Sequence, residues 1–320
     1  MREFLIDSNN NSQRLDKFLF RILPNVSASF VFKMLRKKNI TLNDKKASGK
    51  EILKIDDVVK IYFSEDTFLK FSSESKVDTV SFSKSIDGIS DAIDVVEEND
   101  DFIVINKPSG ILSQKSKNDD VSINEMALAY LYSKGSIDDE SIKMYKPSIA
   151  NRLDRNTSGL LFFAKTLHGA QYLANAFKSR SLVKLYRCIV AGVIDEAQLI
   201  DGYLMKDEKT NKVLITKELV EGAEPIKTEY MPLKDNGKIS LLEVHLITGK
   251  SHQIRAHLAS IGHPIIGDYK YGDKKINDYF KNKYGINNQM LHSYKSILED
   301  GRTYVAEIPQ EFQRVIEKEL

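Results

Sequence analysis

"TEYMPLKDNGKISLLEVHLITGKSHQIRAHLASIG", residues 228–262, reads as strand, turn, strand, break and helix in 35 residues. Two strand-like runs, Thr228 to Leu233 and Ile239 to Ile247, flank KDNGK. Asn236-Gly237 supplies the positive-φ pair of a tight hairpin, so the two runs pair antiparallel. Gly249 then breaks the second run, Ser251 can cap a helix reaching Ile261, and Gly262 ends it.

The same grammar extends outward. Ile93 to Glu97 and Phe102 to Asn106 read as strands about an Asn99-Asp100 turn, and Lys107-Pro108-Ser109-Gly110 breaks the run. Ser122 to Ser133 has a helical pattern. Gly159 to Lys165 is a buried strand, and Thr166 to Arg180 an amphipathic helix with Leu167, Ala170, Leu173, Ala174 and Phe177 on one face. Another strand covers Leu182 to Ile194. Many strands with few intervening helices point to α+β: a large, mainly antiparallel mixed sheet with helices packed on it, over residues 91–320.

The front of the chain differs. Residues 13–62 contain twelve Lys/Arg and five Asp/Glu, so 12 − 5 = +7, whereas the whole chain carries +2. Leu15, Phe18, Leu19 and Ile22 recur at helical spacing. A second helix follows Ser27, a good N-cap, with Phe30, Val31, Met34 and Leu35 on one face. Lys33, Arg36, Lys37 and Lys38 gather at its end. Cations there suit the helix dipole without any ligand, but a concentrated basic block also suits a polyanion, nucleic acid first. Short strands at Asn39 to Leu42 and Val58 to Phe63 complete a small α/β module over 1–63. Eight serines and no clear period mark 64–90 as a linker.

Composition narrows the class. At 320 residues, 42% hydrophobic and 29% charged, the chain is that of an ordinary globular protein with room for one large and one small domain. No apolar run approaches the ~18 residues that span a bilayer, and MREFLIDSNNNSQR lacks the apolar segment of a signal peptide. The single cysteine, Cys188, fits a reducing, cytoplasmic setting. The six histidines show no zinc-ligand spacing.

Three stretches carry candidate chemistry. In "NRLDRNTSGLLFFAK", residues 151–165, Asp154 stands between Arg152 and Arg155 just before the buried strand. Alone it is most simply a turn residue. Neighbouring positive charge would also keep it ionised, and an ionised carboxylate can attack a sugar anomeric carbon. In the 246–268 stretch, His252 and Arg255 are three apart and share a helix face, so both could approach one anion. His252 and His257 are five apart, about 500° around the helix, and cannot share a metal. In "KLYRCIVAG", residues 184–192, Tyr186 is either a core tyrosine or a ring that stacks on a base.

In combination and in this order, "NRLDRNTSGLLFFAK", "KLYRCIVAG" and "TGKSHQIRAHLASIGHPIIGDYKYG" resemble the RluA-type pseudouridine synthases. "KPSGILSQ" (107–114) and "LHSY" (291–294) resemble two shorter motifs of that family, and the likeness spans about 91–310. The motif spacing is most similar to the ribosomal RluC-like branch. The block "RLDKFL…SASFVFKMLRKKNITLNDKKA…KIDDVVKIYF" resembles the RNA-binding module named after ribosomal protein S-four. The resemblance implies the pseudouridine synthase fold, and Asp154 as nucleophile with Arg255 as its cation. It implies that Tyr186 meets the target base and accepts a proton at the sugar, and that Arg152 enters the RNA stack when the uridine flips. Arg14, Lys33, Arg36, Lys37 and Lys38 would hold RNA phosphates. No cofactor or metal is required, the partner is RNA (large-subunit 23S ribosomal RNA first), and a monomer is expected. The family usually has histidine where this chain has Asn151.

Rival readings are a transfer-RNA or dual-specificity synthase and a non-catalytic RNA-binding or ribosome-assembly factor. A glycoside hydrolase would need a second carboxylate paired with Asp154; none is evident in the sequence.

Overall fold

A computed structural model describes residues 1–7, 10–72, 93–117, 120–138, 141–142, 145–207 and 212–320. The first elements are strand β1 (Arg2–Leu5), helices α1 (Leu15–Ile22) and α2 (Ala28–Arg36), and strands β2 (Ile40–Leu42), β3 (Lys45–Lys46) and β4 (Val58–Ile61). The strands form an antiparallel sheet in the order β1-β4-β2-β3. Leu15, Phe18 and Leu19 of α1 meet Val31 and Leu35 of α2 in one core with Ile40, Val59 and Ile61. As the sequence suggests, Ser27 caps α2, its hydroxyl accepting the Phe30 N–H at 3.3 Å.

The linker expected over 64–90 opens differently. Ser64 caps a helix, α3 (Glu65–Phe71), by accepting the Thr67 N–H. Phe68 of α3 is buried and stacks on Phe4 with ring centroids 6.1 Å apart. Residues 64–71 thus pack into the small module, because Phe68 and Phe71 join its apolar core. The remainder of the expected linker from 73 onward lies outside the described residues.

The larger part runs β5 (Val95–Glu98), β6 (Phe102–Lys107), α4 (Ile123–Ser133), β7 (Ser148–Ile149), β8 (Ser158–Ala164), α5 (Leu167–Ser179) and β9 (Val183–Ala191). It continues through β10 (Gln198–Asp207), β11 (Lys212–Thr216), β12 (Glu224–Asp235), β13 (Ile239–Leu246) and α6 (Gln253–Ser260). Last come α7 (Lys274–Tyr284), β14 (Leu291–Ile297), β15 (Thr303–Val305) and α8 (Gln310–Glu319). One sheet takes the order β11-β10-β12-β13-β9-β14-β8-β6-β5, with β15 beside β14 and β7 beside β8. Every described pairing in it is antiparallel except β14 with β8. This is the expected α+β class. At the β12–β13 hairpin Asn236 Oδ1 accepts the N–H groups of Lys238 and Ile239, and Gly237 takes φ 82°.

The apolar run Leu160 to Ala164 shows no alternation because both its faces are covered. Leu160 and Phe162 join Phe102, Val104 and Leu173 in one core; Leu161 and Phe163 join Ile103, Ile105, Met126 and Leu131 in another. Helix α5 covers the first face and α4 the second. Truncating fully buried Leu173 to alanine would cost about 3 kcal/mol. Among the described residues no helix is long and apolar enough to cross a membrane.

One close approach sets the functional region. Gly159 has φ 108°, and a Cβ there would lie 2.2 Å from the Ser293 carbonyl oxygen. Only glycine lets β8 start against β14. Ser293 pairs with Gly159 on one side and with Tyr186 of β9 on the other. The register therefore brings the loop before β8, residues 151–157, to the strand that carries Tyr186.

Candidate active site

Asp154 sits in that loop with its side chain a quarter exposed. The segment 107–113 after β6 fastens the loop at several points. Ser113 Oγ donates to the Leu153 carbonyl at 2.8 Å and accepts the Leu153 N–H at 3.0 Å. Ser109 Oγ donates to the Asn156 carbonyl. Lys107 is fully buried, and its Nζ donates to the carbonyls of Pro108, Arg155 and Thr157 at 2.8–2.9 Å. Three acceptors match the three donors of an ammonium group. Burial pulls the Lys107 pKa down to about 7, against the nearby Asp154 charge. Within the loop, the Thr157 N–H donates to the Asp154 carbonyl, and Gln289 Nε2 donates to Thr157 Oγ1.

Arg255 arrives from α6, 101 residues away in sequence. Its Nη1 donates to Asp154 Oδ2 at 2.7 Å. Its Nε and Nη2 meet both oxygens of Asp268 at 2.7 and 2.9 Å. Asp268 is 1% exposed, so the second carboxylate acts as an internal clamp. Burial works against the Arg255 charge, but Asp268 and then Asp154 raise its pKa above the ordinary arginine value. The guanidinium also lies over the Tyr271 ring, 5.2 Å from its centroid.

His252 shares the face, as its spacing from Arg255 suggests: its Nε2 is 4.0 Å from Asp154 Oδ2. The start of α6 differs from expectation. His252, not Ser251, is the N-cap residue, with φ 54° and ψ 16°. Gln253 takes over the end of the strand, donating to Lys227 O and Thr228 Oγ1 and accepting from Thr248 Oγ1 and Lys250 N. His257 and His263 go elsewhere, to Thr228 Oγ1 and the Ala191 carbonyl.

Tyr186 is 6% exposed and belongs to the core around β9 and β13. Burial pushes its phenol up to about 12, against a hydrogen bond from Ser293 and with the Asp154 charge adding to the rise. The ring is thus a core residue that also lies within reach of the Asp154 field.

The model for the family described as RNA pseudouridylate synthase matches residues 101–260. The chain belongs to that family. The S4 domain model matches residues 13–59. The chain is 30% identical over 301 residues to an uncharacterised RNA pseudouridine synthase of Mycoplasma genitalium, covering 92% of this chain and 88% of that one. It is 32% identical over 277 residues to the ribosomal large subunit pseudouridine synthase C of Rickettsia prowazekii, covering 84% and 85%. The structure of human RNA pseudouridylate synthase domain containing 4 superposes with a TM-score of 0.58 at 20% identity, over 74% of this chain and 96% of that one. That last likeness is one of fold. The chain is therefore an RNA pseudouridine synthase, an isomerase, with an S4 module ahead of the synthase domain.

The remaining sequence candidates fall into three groups. Arg152 is exposed with no hydrogen bond or ion pair among the described residues, whereas Arg155 is structural, its Nε donating to the Gly110 carbonyl. Asn151, at the family's usual histidine position, serves the neighbouring backbone, its Oδ1 accepting the Phe162 N–H at 2.7 Å. In the S4 module, Lys33, Arg36, Lys37 and Lys38 are exposed and unpaired among the described residues. Lys33, Arg36 and Lys37 share one face of the helix end. Arg14 does not match them, since it pairs with Asp16 at 2.5 Å and its charge is already met.

Sequence reasoning missed Lys107, Asp268 and Tyr271. All three lie inside the quoted motifs, at the first residue of KPSG and in GDYKYG. A lysine closing an apolar strand, with a proline and glycine after it, is the available signal for the first. Nothing local marks Asp268 as the partner of an arginine thirteen residues earlier.

Proposed function

We propose that the enzyme isomerises uridines of large-subunit ribosomal RNA, with Asp154 as the nucleophile and base flipping to reach the target. The observation that carries the nucleophile assignment is the Asp154–Arg255 pair at 2.7 Å, in which the arginine is buried and the aspartate is a quarter exposed. A neighbouring guanidinium favours the charged form of a carboxylate, and a charged carboxylate needs no general base to attack. The attack would form a bond from Asp154 oxygen to the sugar C1′ and break the C1′–N1 bond, releasing uracil as an anion. The base would turn and bond C1′ through C5, expelling the carboxylate; C5 would then lose its proton and N1 gain one.

Tyr186 keeps its proton at neutral pH. That favours a stacking face and a hydrogen-bond donor for the base over proton acceptance at the sugar. A uridine in folded RNA must be unstacked at a cost of a few kcal/mol. Arg152, exposed and uncommitted beside the nucleophile, is placed to fill the gap. Lys33, Arg36, Lys37 and Lys38 supply phosphate contacts from the module over residues 1–63, and the domain over 91–320 does the chemistry. The ribosomal substrate is supported by the relatives named as large-subunit synthases. The enzyme is proposed to act in the cytoplasm, as a monomer and without a metal.

Release of tritium from C5-labelled uridine tests this reading. Purified protein should release label from large-subunit ribosomal RNA transcripts and not from transfer RNA. Release from transfer RNA alone would overturn the substrate, and no release from any RNA would leave a binding factor.

A further inference from the structure

His252 stands beside Asp154, yet the reaction proposed above gives it nothing to do. Its backbone is left-handed, at φ 54° and ψ 16°, and its side chain makes no capping bond to α6. A non-glycine residue in that region is uncommon and persists only where its surroundings hold it. Tyr271 is what holds it. The Tyr271 Oη lies 2.9 Å from His252 Nδ1, and the two rings meet edge to face at 5.7 Å. The same oxygen accepts the Val213 N–H at 2.9 Å, tying it to β11. The other side of the Tyr271 ring carries the Arg255 guanidinium. One tyrosine thus touches both groups that address Asp154.

One tautomer of the ring turns a donor toward Asp154. A phenol has one hydrogen to give. The Val213 N–H occupies one lone pair of the Tyr271 oxygen; donation of its single hydrogen to Nδ1 puts the ring proton of His252 on Nε2, the tautomer proposed below. That nitrogen is the one 4.0 Å from Asp154 Oδ2. A shift of about 1 Å would make the contact a hydrogen bond. Arg255 also bonds Oδ2, and Oδ1 has no hydrogen-bond partner among the described residues.

We propose that His252 is a positioning residue for Asp154, held by Tyr271 as the Nε2–H tautomer. Together with Arg255 it fixes Oδ2 and leaves Oδ1 as the attacking oxygen. The idea rests on Asp154 as nucleophile. Burial keeps the ring neutral by lowering its pKa. The charges facing it are Asp154 and Asp268, which favour protonation, and Arg255 and Lys270, which oppose it; Tyr271 is the remaining titratable neighbour.

The test is single-turnover tritium release by the full-length enzyme from pH 5 to 9, with His252→Leu, His252→Gln and Tyr271→Phe. The leucine variant should lose about 10- to 100-fold in rate at saturating RNA, as for a lost hydrogen bond to a charged group, with the half-saturating RNA concentration unchanged. Glutamine, which can present an N–H from the same reach, should recover most of the loss. In Tyr271→Phe the ring that supports Arg255 remains, but Nδ1 is freed for protonation. The neutral ring can then carry its proton on Nδ1, so the rate of this variant relative to wild type should fall at pH 7 to 9 and recover toward pH 5, where the imidazolium again presents Nε2–H. A leucine variant with wild-type rate, a loss confined to half-saturation, equal loss with glutamine, or a Tyr271→Phe rate ratio to wild type that does not change with pH would overturn the proposal. Asp154→Ala run alongside keeps the two readings apart: activity in that variant would refute the nucleophile itself, whereas its silence with normal His252 variants would refute only the positioning role.

Discussion

Arg255 holds Asp154 by one nitrogen at 2.7 Å, and of the two the arginine is the more buried, with 8% of its side chain exposed against 25%. The cation is part of the framework and the carboxylate is what the framework presents.

That asymmetry depends on Asp268. Replacing it with asparagine would leave Arg255 buried with half its donors poorly matched. Breaking a buried pair from one side costs about 3–5 kcal/mol. Asp268→Asn should lower the urea midpoint accordingly and reduce the rate at saturating RNA more than it weakens RNA binding. Wild-type stability and rate together would contradict the clamp.

Lys107 is a second framework cation, serving carbonyls instead of a carboxylate. Lys107→Met keeps the length and apolar stem but strands the Thr157 carbonyl, worth about 1–3 kcal/mol when left unsatisfied, and leaves the Arg155 carbonyl with the Gly110 N–H alone. Urea unfolding should show a loss of at least about 2 kcal/mol. Catalysis should fall too, because those carbonyls belong to the residue after Asp154 and to the turn into β8.

Glu98 fixes the far edge of the sheet. Burial would raise its pKa, but hydrogen bonds from Lys165, Tyr130 and Lys134 hold it at about 2. A carboxyl lowered from 4.5 contributes stability that is complete above pH 4.5 and fades as pH falls toward 2. Glu98→Gln should therefore melt below wild type at pH 7, by a few degrees for about 1 kcal/mol, and the gap should close by about pH 2 to 3. A gap independent of pH would show that packing, not charge, is lost.

The S4 module makes a salt prediction. Each lysine that neutralises a phosphate adds about 0.7 to 0.9 to the slope of log affinity against log salt. Lys33→Ala with Lys37→Ala should flatten the slope by between one and two, measured by filter binding, while Arg14→Ala, whose charge is met by Asp16, should change it less.

What could be read in advance divides by range. The Asn236-Gly237 hairpin, the Ser27 cap and the apolar faces of α1 and α5 are local, and periodicity displays them. The doubly covered β8 could be read as buried, but not which helix covers which face. Ser64 to Phe71 reads as linker because it belongs to the serine-rich window 64–90, whereas the packing of Phe68 on Phe4 decides the first eight residues of that window. His252 and Arg255 could be placed on one face by spacing. Their meeting with Asp154 could not, since it depends on the parallel approach of β8 and β14 that Gly159 permits. Lys107 was hidden for a general reason: a lysine reads as solvent-facing unless three carbonyls are known to wait for it.

The central claim is that Asp154 carries the bond-making step. Asp154→Asn preserves size and the hydrogen bond from Arg255 while removing the nucleophilic charge. Incubated in excess with C5-tritiated ribosomal RNA, it should release no label over hours in which wild type goes to completion, and should bind that RNA within about twofold of wild type, because phosphate contacts dominate affinity. Label released at a rate near wild type would contradict the account.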